Sequence, residues 1–128
     1  MTLDARFANA LRKRARRGLR GYPVATVAIY GPDASRASKV ALGIILREGG
    51  EAEILERWYS GTADVRVDPQ TNQQILDFIR MHQVASVALA DRIIGCPHEG
   101  GIDYPEGEKC PRCPYWATRD RWSGEIAR

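Results

Sequence analysis

No apolar stretch in this sequence is long enough to cross a bilayer: the longest, PVATVAIY, falls far short of the roughly 20 residues that a spanning helix needs. Cysteine is absent from the first 95 residues. The three cysteines all lie in the final third, and an odd number cannot close into a complete disulfide framework, so they suit a reducing compartment and thiols with another use. Histidine occurs only twice, which leaves no Ser-His-Asp set to argue once one imidazole is assigned elsewhere. Neither G-x-x-x-x-G-K-[ST] nor G-x-G-x-x-G is present, and there is no internal repeat or low-complexity tract. These absences remove the transmembrane, disulfide-scaffold, triad-hydrolase and P-loop classes. The expected location is the cytoplasm, or the mitochondrial matrix if the arginine-rich start is a presequence.

What is present suits one globular domain. A chain of 128 residues, 44% apolar and 27% charged, has ordinary globular composition and can bury roughly two thirds of its unfolded surface. The net charge of +3 is unevenly spread: residues 1–20 carry Arg6, Arg12, Lys13, Arg14, Arg16, Arg17 and Arg20 against Asp4 alone, so the remainder is mildly acidic. Leu3, Phe7, Leu11, Ala15 and Leu19 recur every fourth position in this basic segment, the spacing of an amphipathic helix, and Gly18, Gly21 and Pro23 end it.

The next segment, YPVATVAIYG, is β-branched and apolar on both faces, as a buried parallel strand is. Gly31-Pro32 turns the chain, and ASRASKVALGIILREGG places Ala37, Val40, Ala41, Ile44 and Ile45 at helical spacing before Gly49-Gly50. AEILERWY reads as a second strand and GTADVRV as an irregular connection. Asp68 and Pro69 open a helix carried by Ile75, Leu76, Phe78 and Ile79 through to His82, and VASVALA is a third strand. Strand, helix, strand, helix, strand predicts an α/β fold: a small three-stranded parallel βαβαβ sheet, with an N-terminal basic helix and a C-terminal zinc-knuckle-like metal-binding segment. The expected divisions are a basic helical arm at 1–21, an α/β domain at 22–95 and a metal-binding segment at 96–128 packed on it. In a parallel sheet the turn after the first strand and the segment after the third share an edge, so GPDAS and IIGCPHE are expected as neighbours.

Cys96, His98, Cys110 and Cys113 form C-x-H-x11-C-x2-C. Each close pair can offer two ligands from one turn, and the link, with Tyr104-Pro105-Glu106-Gly107 as a turn, can bring the pairs together. Three thiolates and an imidazole fill a tetrahedral zinc shell and leave no position for water or substrate, which describes a structural site. His98 is the ligand that Glu99 or Asp103 could replace. A Cys110-Cys113 redox pair and ordinary loop thiols are the alternatives, although a glycine- and proline-rich loop gives thiols little apolar cover.

Cys96-Pro97-His98, Cys110-Pro111 and Trp116 resemble the paired C-x-H and C-P-x-H motifs of Rieske iron-sulfur proteins, which would imply a [2Fe-2S] cluster. Cys113 stands where that family has its second histidine, and the upstream α/β pattern is unlike its all-β domain. Cys110 and Cys113 also resemble the P-C-x-x-C half of zinc-dependent nucleobase deaminases; Gly100 occupies the place of the catalytic glutamate and Lys109 that of the proline.

Three further features carry expectations. GPDASRASK, read as a strand-to-helix junction, makes Asp33, Ser35, Arg36 and Ser38 a candidate anion site, with simple helix capping as the plainer explanation. Asp91-Arg92 reads as a surface ion pair. The tail alternates Tyr115, Trp116, Arg119, Arg121 and Trp122, a mixture suited either to base stacking or to a lid over the metal segment. Nothing marks Glu51, Glu53 and Glu56 as an acid/base pair, so the chain reads as a binding module before an enzyme. Arg12, Lys13, Arg14, Arg16, Arg17 and Arg20 are the candidate nucleic-acid contacts, with RNA or an RNA-protein assembly as partner; an acidic protein or an anionic membrane surface would suit the same charge. The alternative is a metal-dependent enzyme or [2Fe-2S] protein with its site at the carboxyl edge of the sheet.

Overall fold

Val40, Leu42 and Ile44 decide the architecture. Taken at every second position they make an apolar strand face, while Val40 and Ile44 taken with Ala37, Ala41 and Ile45 make a helical stripe; a short apolar run fits both periods. In a computed structural model, which describes residues 3–90 and 92–117 with side chains from Ala10 onward, this segment is extended. The elements are α1 (Leu3–Arg16), β1 (Val24–Tyr30), β2 (Lys39–Ile45), β3 (Ala52–Tyr59), a 3₁₀ turn (Val65–Val67), α2 (Pro69–Met81), β4 (Ser86–Leu89) and the short α3 (Pro114–Ala117). Among the described residues no helix is long and apolar enough to cross a membrane.

The expected three-stranded parallel sheet is therefore replaced by a four-stranded mixed one in the order β3-β2-β1-β4. β1 pairs antiparallel with β2, β2 antiparallel with β3, and only β1 and β4 are parallel. The physical reason lies in β2 itself. Val40, Ile44 and Ile45 are β-branched and favour extended backbone, while Gly43 costs a helix about 1 kcal/mol relative to alanine. In the sheet Gly43 has a use: a Cβ there would stand 3.0 Å from the Cβ of Ala52 and 3.3 Å from Thr26 Oγ1, so its bare backbone eases the close approach of three strands.

The strands expected at YPVATVAIYG, AEILERWY and VASVALA do form, as does the helix opened by Asp68. The Asp68 carboxylate accepts from Gln70 N at 3.3 Å and from Thr71 Oγ1 at 2.6 Å, occupying donors that a helix start leaves unpaired. GTADVRV, expected to be irregular, contains the 3₁₀ turn.

One face of the sheet is the core face. Ala25, Val27 and Ile29 of β1, Val40, Leu42 and Ile44 of β2 and Val87 of β4 are buried with Ile75, Leu76 and Ile79 of α2. Trp58 of β3 sets its ring edge-on to Phe78 of α2, with centroids 5.9 Å apart, and donates its indole N–H to Gln74 Oε1. α1 joins the same core through Leu11, which is 5% exposed; burying a leucine is worth roughly 2 kcal/mol. Arg14 Nη2 also donates to the Val84 carbonyl at 2.8 Å. The basic segment is thus a helix seated on the body, not an arm held away from it.

Asp64 joins the approach to β2 to the 3₁₀ turn: it accepts from Ala37 N at 3.1 Å and from Arg66 N and Nε at 2.9 Å each. The Arg66 guanidinium, helped by these amides against the cost of burial, lowers the Asp64 carboxyl from 3.8 to about 2. The folded carboxylate therefore stays ionised where the unfolded one protonates, so its stabilisation is complete above about pH 4 and fades as pH falls toward 2. Asp64→Asn is expected to lower unfolding free energy by about 2 kcal/mol near neutral pH, measured by urea titration, with the gap between the two proteins closing from pH 4 to pH 2.

Candidate metal centre

Strand directions place the site. β1 and β4 are parallel, β2 is antiparallel to β1 and β3 is antiparallel to β2, so one sheet edge gathers the carboxyl ends of β1, β3 and β4 and the amino end of β2. Tyr30, Lys39 and Tyr59 lie side by side there. The chain leaving β4 stays on this edge: Ile94 N donates to Ile29 O, and Gly31 N to Gly95 O, each at 2.9 Å. The expected neighbourhood of GPDAS and IIGCPHE is thus present, because it needed only β1 and β4 to be parallel. Gly31 must be glycine, since a Cβ would collide with the Arg36 carbonyl.

Beyond Gly95 the loop folds back. Gly101 N donates to Tyr104 O at 2.7 Å, and Glu108 N to Pro105 O at 3.2 Å, closing the turn expected around Tyr104–Gly107. This brings Cys96 and His98 against Cys110 and Cys113, the last of them just before α3. One ligand atom from each of the four residues lies within 4.8 Å of the others. His98 Nδ1 stands 3.5 Å from Cys96 Sγ, 3.4 Å from Cys110 Sγ and 3.5 Å from Cys113 Sγ. A single tetrahedral ion with metal–sulfur bonds of 2.3 Å and a metal–nitrogen bond near 2.0 Å requires about 3.5 Å between nitrogen and each sulfur. The thiols form no disulfide.

The three cysteines are 2%, 7% and 2% exposed in chain order. Burial pushes the Cys96 thiol up, and burial together with the neighbouring sulfurs pushes Cys113 up to about 12. Burial acts the same way on Cys110 but is outweighed by the amides of Arg112 and Cys113 and the adjacent thiols, which bring it down. Three sulfurs this close cannot all ionise by themselves. A cation at their centre reverses that logic and stabilises all three thiolates. His98 N already donates to Cys96 Sγ at 3.2 Å, as an amide does to a ligating sulfur.

Side chains from the strands hold the loop in place. Lys39, 2% exposed, donates from Nζ to Pro97 O at 2.9 Å, lies 3.6 Å from Glu99 Oε2 and sits between the Tyr30 and Tyr59 rings. Arg57 donates from Nε and Nη2 to Glu99 Oε1 at 3.1 and 2.8 Å. Glu99 N in turn donates to Asp103 Oδ2 at 2.7 Å. Glu99 and Asp103, which the spacing offered as substitutes for His98, are therefore engaged in fixing the loop. Trp116 of α3 is 6% exposed, donates its indole N–H to Gly31 O at 2.8 Å and meets Tyr115 edge-on, which ties α3 to the turn after β1. Arg119, Arg121 and Trp122 lie outside the described residues, as does Asp91.

The candidate anion site lacks the helix on which it rested. β2 follows instead, and Asp33 Oδ1 takes Ser35 N at 2.8 Å, Ser35 Oγ at 2.6 Å and Arg36 N at 3.3 Å. Arg36 Nη1 donates to Gly61 O at 3.0 Å and Ser38 N to Tyr30 O at 2.8 Å. These groups close a strand-to-strand connection.

The cations of α1 and of the residues just after it divide by position. Lys13, and Arg17 and Arg20 past the helix end, are exposed, Arg14 is turned to Val84, and Arg12 and Arg16 line a cleft beside Leu11 and Ala15. Burial lowers the Arg14 pKa, and the charges of Arg17 and Arg80 lower it further, so Arg80 of α2 belongs to the same positive patch. Sequence spacing gave no hint of Lys39, Arg57 or Arg80; recognising β2 as a strand would have put Lys39 on the loop's edge.

No family model, no curated protein and no solved structure matches this chain, so its chemistry is argued from the site alone. A shell of four protein ligands can fix the loop against the sheet and offers no open coordination position. Lys39→Met is expected to weaken metal binding roughly tenfold, measured by chelator competition, because it frees the carbonyl between Cys96 and His98 while leaving all four ligands in place.

Proposed function

We propose that this protein is a zinc-stabilised α/β binding module that engages RNA through the outer face of α1. The observation that carries the zinc reading is the near-equal distance of 3.4–3.5 Å from His98 Nδ1 to each of the three sulfurs. Ligands of a two-iron cluster divide into one pair per iron, with longer separations across the pairs than within them, whereas this set has a single centre. Zinc accepts three thiolates and one imidazole at these distances and undergoes no redox change. The closed shell favours a structural role over catalysis.

For the partner, the supporting observation is unbalanced charge on a fixed surface. Leu11 and Arg14 anchor α1, which leaves Lys13 exposed on the helix and Arg17 and Arg20 exposed just past its end; Arg80 of α2, 3.9 Å from Asp77, acts on the same Arg14 as Arg17 does. Cations gathered on one surface gain from phosphate neutralisation, and release of counterions makes such binding salt-sensitive.

Purified protein is expected to be colourless and to carry one zinc per chain by elemental analysis; visible charge-transfer absorption or stoichiometric iron would reject the zinc reading. For the partner, the double variant Lys13→Glu/Arg17→Glu keeps Leu11 and Arg14 and should keep the fold. Its affinity for single-stranded RNA should drop, and its slope of log affinity against log salt should flatten by about 1.4, or 0.7 per lost cation, in fluorescence anisotropy titrations. Unchanged affinity and slope would exclude this face as the RNA surface. Deleting residues 1–20 is not a clean test, because it removes Leu11 from the core.

A further inference from the structure

The two edges of the sheet differ. In the order β3-β2-β1-β4, β4 is four residues long with α1 packed against it, whereas β3 is eight residues long and has β2 as its one strand neighbour among the described residues. Ala52, Glu53, Leu55, Glu56 and Tyr59 are exposed along β3, Leu55 at 58% and Tyr59 at 63%. Natural edges are commonly blunted by shortness, proline or lysine, and AEILERWY has none of these.

The pairing with β2 fixes which backbone groups of β3 face outward. Ser60 N donates to Ser38 O at 2.9 Å, and hydrogen-bonded pairs alternate with non-bonded ones along an antiparallel ladder. Counting back from Ser60, the bonded positions are Trp58, Glu56 and Ile54, so Leu55, Arg57 and Tyr59 turn N–H and C=O to the open side. The Arg57 amide agrees with this: its acceptor is the side chain of its neighbour, Glu56 Oε1, at 2.9 Å. A carboxylate stands in for a further strand.

We infer that β3 pairs with β3 of a second copy of this chain, antiparallel about a two-fold axis at Leu55, so that two four-stranded sheets become one. The zinc and RNA readings are independent of it. A two-fold ladder must match outward residues with outward residues, which puts the axis on a residue and not between two, and an axis near either strand end shortens the overlap. Charge then selects the register. An axis at Glu56 opposes Glu56 to its own copy, and one at Arg57 opposes two guanidinium groups; like charges directly opposite destabilise a pair. An axis at Leu55 opposes leucine to leucine and Ile54 to Glu56, and sets Glu53 across from Arg57 of the second copy. Arg57 already holds Glu99, so Glu53 adds register and not neutralisation, and Glu53's contact with the exposed Arg47, at 3.8 Å, is of the kind that contributes little. The bulge at Glu53, opposite Ile44 and Ile45, ends the regular edge and keeps the interface small.

The test is sedimentation velocity of the full purified chain from about 10 µM to about 0.5 mM, where a reversible monomer–dimer equilibrium is expected of a small interface. Amide hydrogen exchange followed by NMR should slow at Leu55 and Arg57 as concentration rises, because those donors then meet backbone acceptors, and isotope-filtered NOEs between copies should join Ile54 to Glu56. Leu55→Glu places two carboxylates at the axis and should weaken dimerisation roughly tenfold. Leu55→Pro removes an outward N–H without touching the ladder to β2 and should act in the same direction. Lys13→Glu/Arg17→Glu, which disturbs the RNA face, should leave the equilibrium unchanged. A chain still monomeric at about 0.5 mM, a dimer in which the Leu55 amide gains no protection, or a dimer indifferent to Leu55→Glu would each overturn the inference. The exchange measurement uses the unaltered chain, so it decides the matter even where a variant misfolds.

Discussion

Three sulfurs and one imidazole nitrogen gathered within 4.8 Å are the constraint on which the loop from Cys96 to Cys113 depends. The segment from Cys96 to Cys113 contributes few apolar side chains to the core beyond the cysteines themselves. Such a loop cannot hold its shape by burial, and its thiols resist ionising together. A cation satisfies both needs at once, because ion binding to ligands that only the folded chain brings together is itself folding free energy. The charge in this region follows the same logic, with Lys39 and Arg57 of the sheet meeting Glu99 of the loop.

The sheet makes that gathering possible. Because β4 runs parallel to β1, the chain leaving β4 emerges beside Gly31, and because β2 is antiparallel to β1, the buried Lys39 enters at the same edge. A buried ammonium is tolerated only with partners, and here they are the Pro97 carbonyl, Glu99 and two tyrosine rings. Lys39 thus connects architecture to site: two of its partners, Pro97 and Glu99, come from the loop and two, Tyr30 and Tyr59, from the sheet. Trp116, bonded to Gly31 O, ties the far end of the loop to the same turn.

α1 shows how one basic helix can serve several ends. Leu11 makes it part of the core, Arg14 ties it to Val84, and the residues between point elsewhere by helical geometry. Lys13 is exposed on the helix and Arg17 just past its end, while Arg12 and Arg16 line the cleft beside Leu11 and Ala15. A charge census of the first 20 residues treats these as one patch. Packing separates them into an anchor, an exposed set and a cleft lining.

The Cys/His cluster that could hold a metal, the basic character of the first helix, and the strands and helix carried by AEILERWY and Asp68–His82 were legible in the sequence, because spacing, charge and capping chemistry are local properties. The identity of β2 was not: its apolar residues fit two periods, and only pairing with β1 and β3, where Gly43 leaves little space for a side chain, selects the extended form. That one choice converts a parallel sheet into a mixed one and removes the helix terminus from the GPDAS turn. It also moves Lys39 from a helix to the edge where the loop docks. Sequence by itself determined which atoms could grip an ion; the tertiary fold decided what holds them in reach of one another, since strand direction and close packing join residues that no local pattern relates.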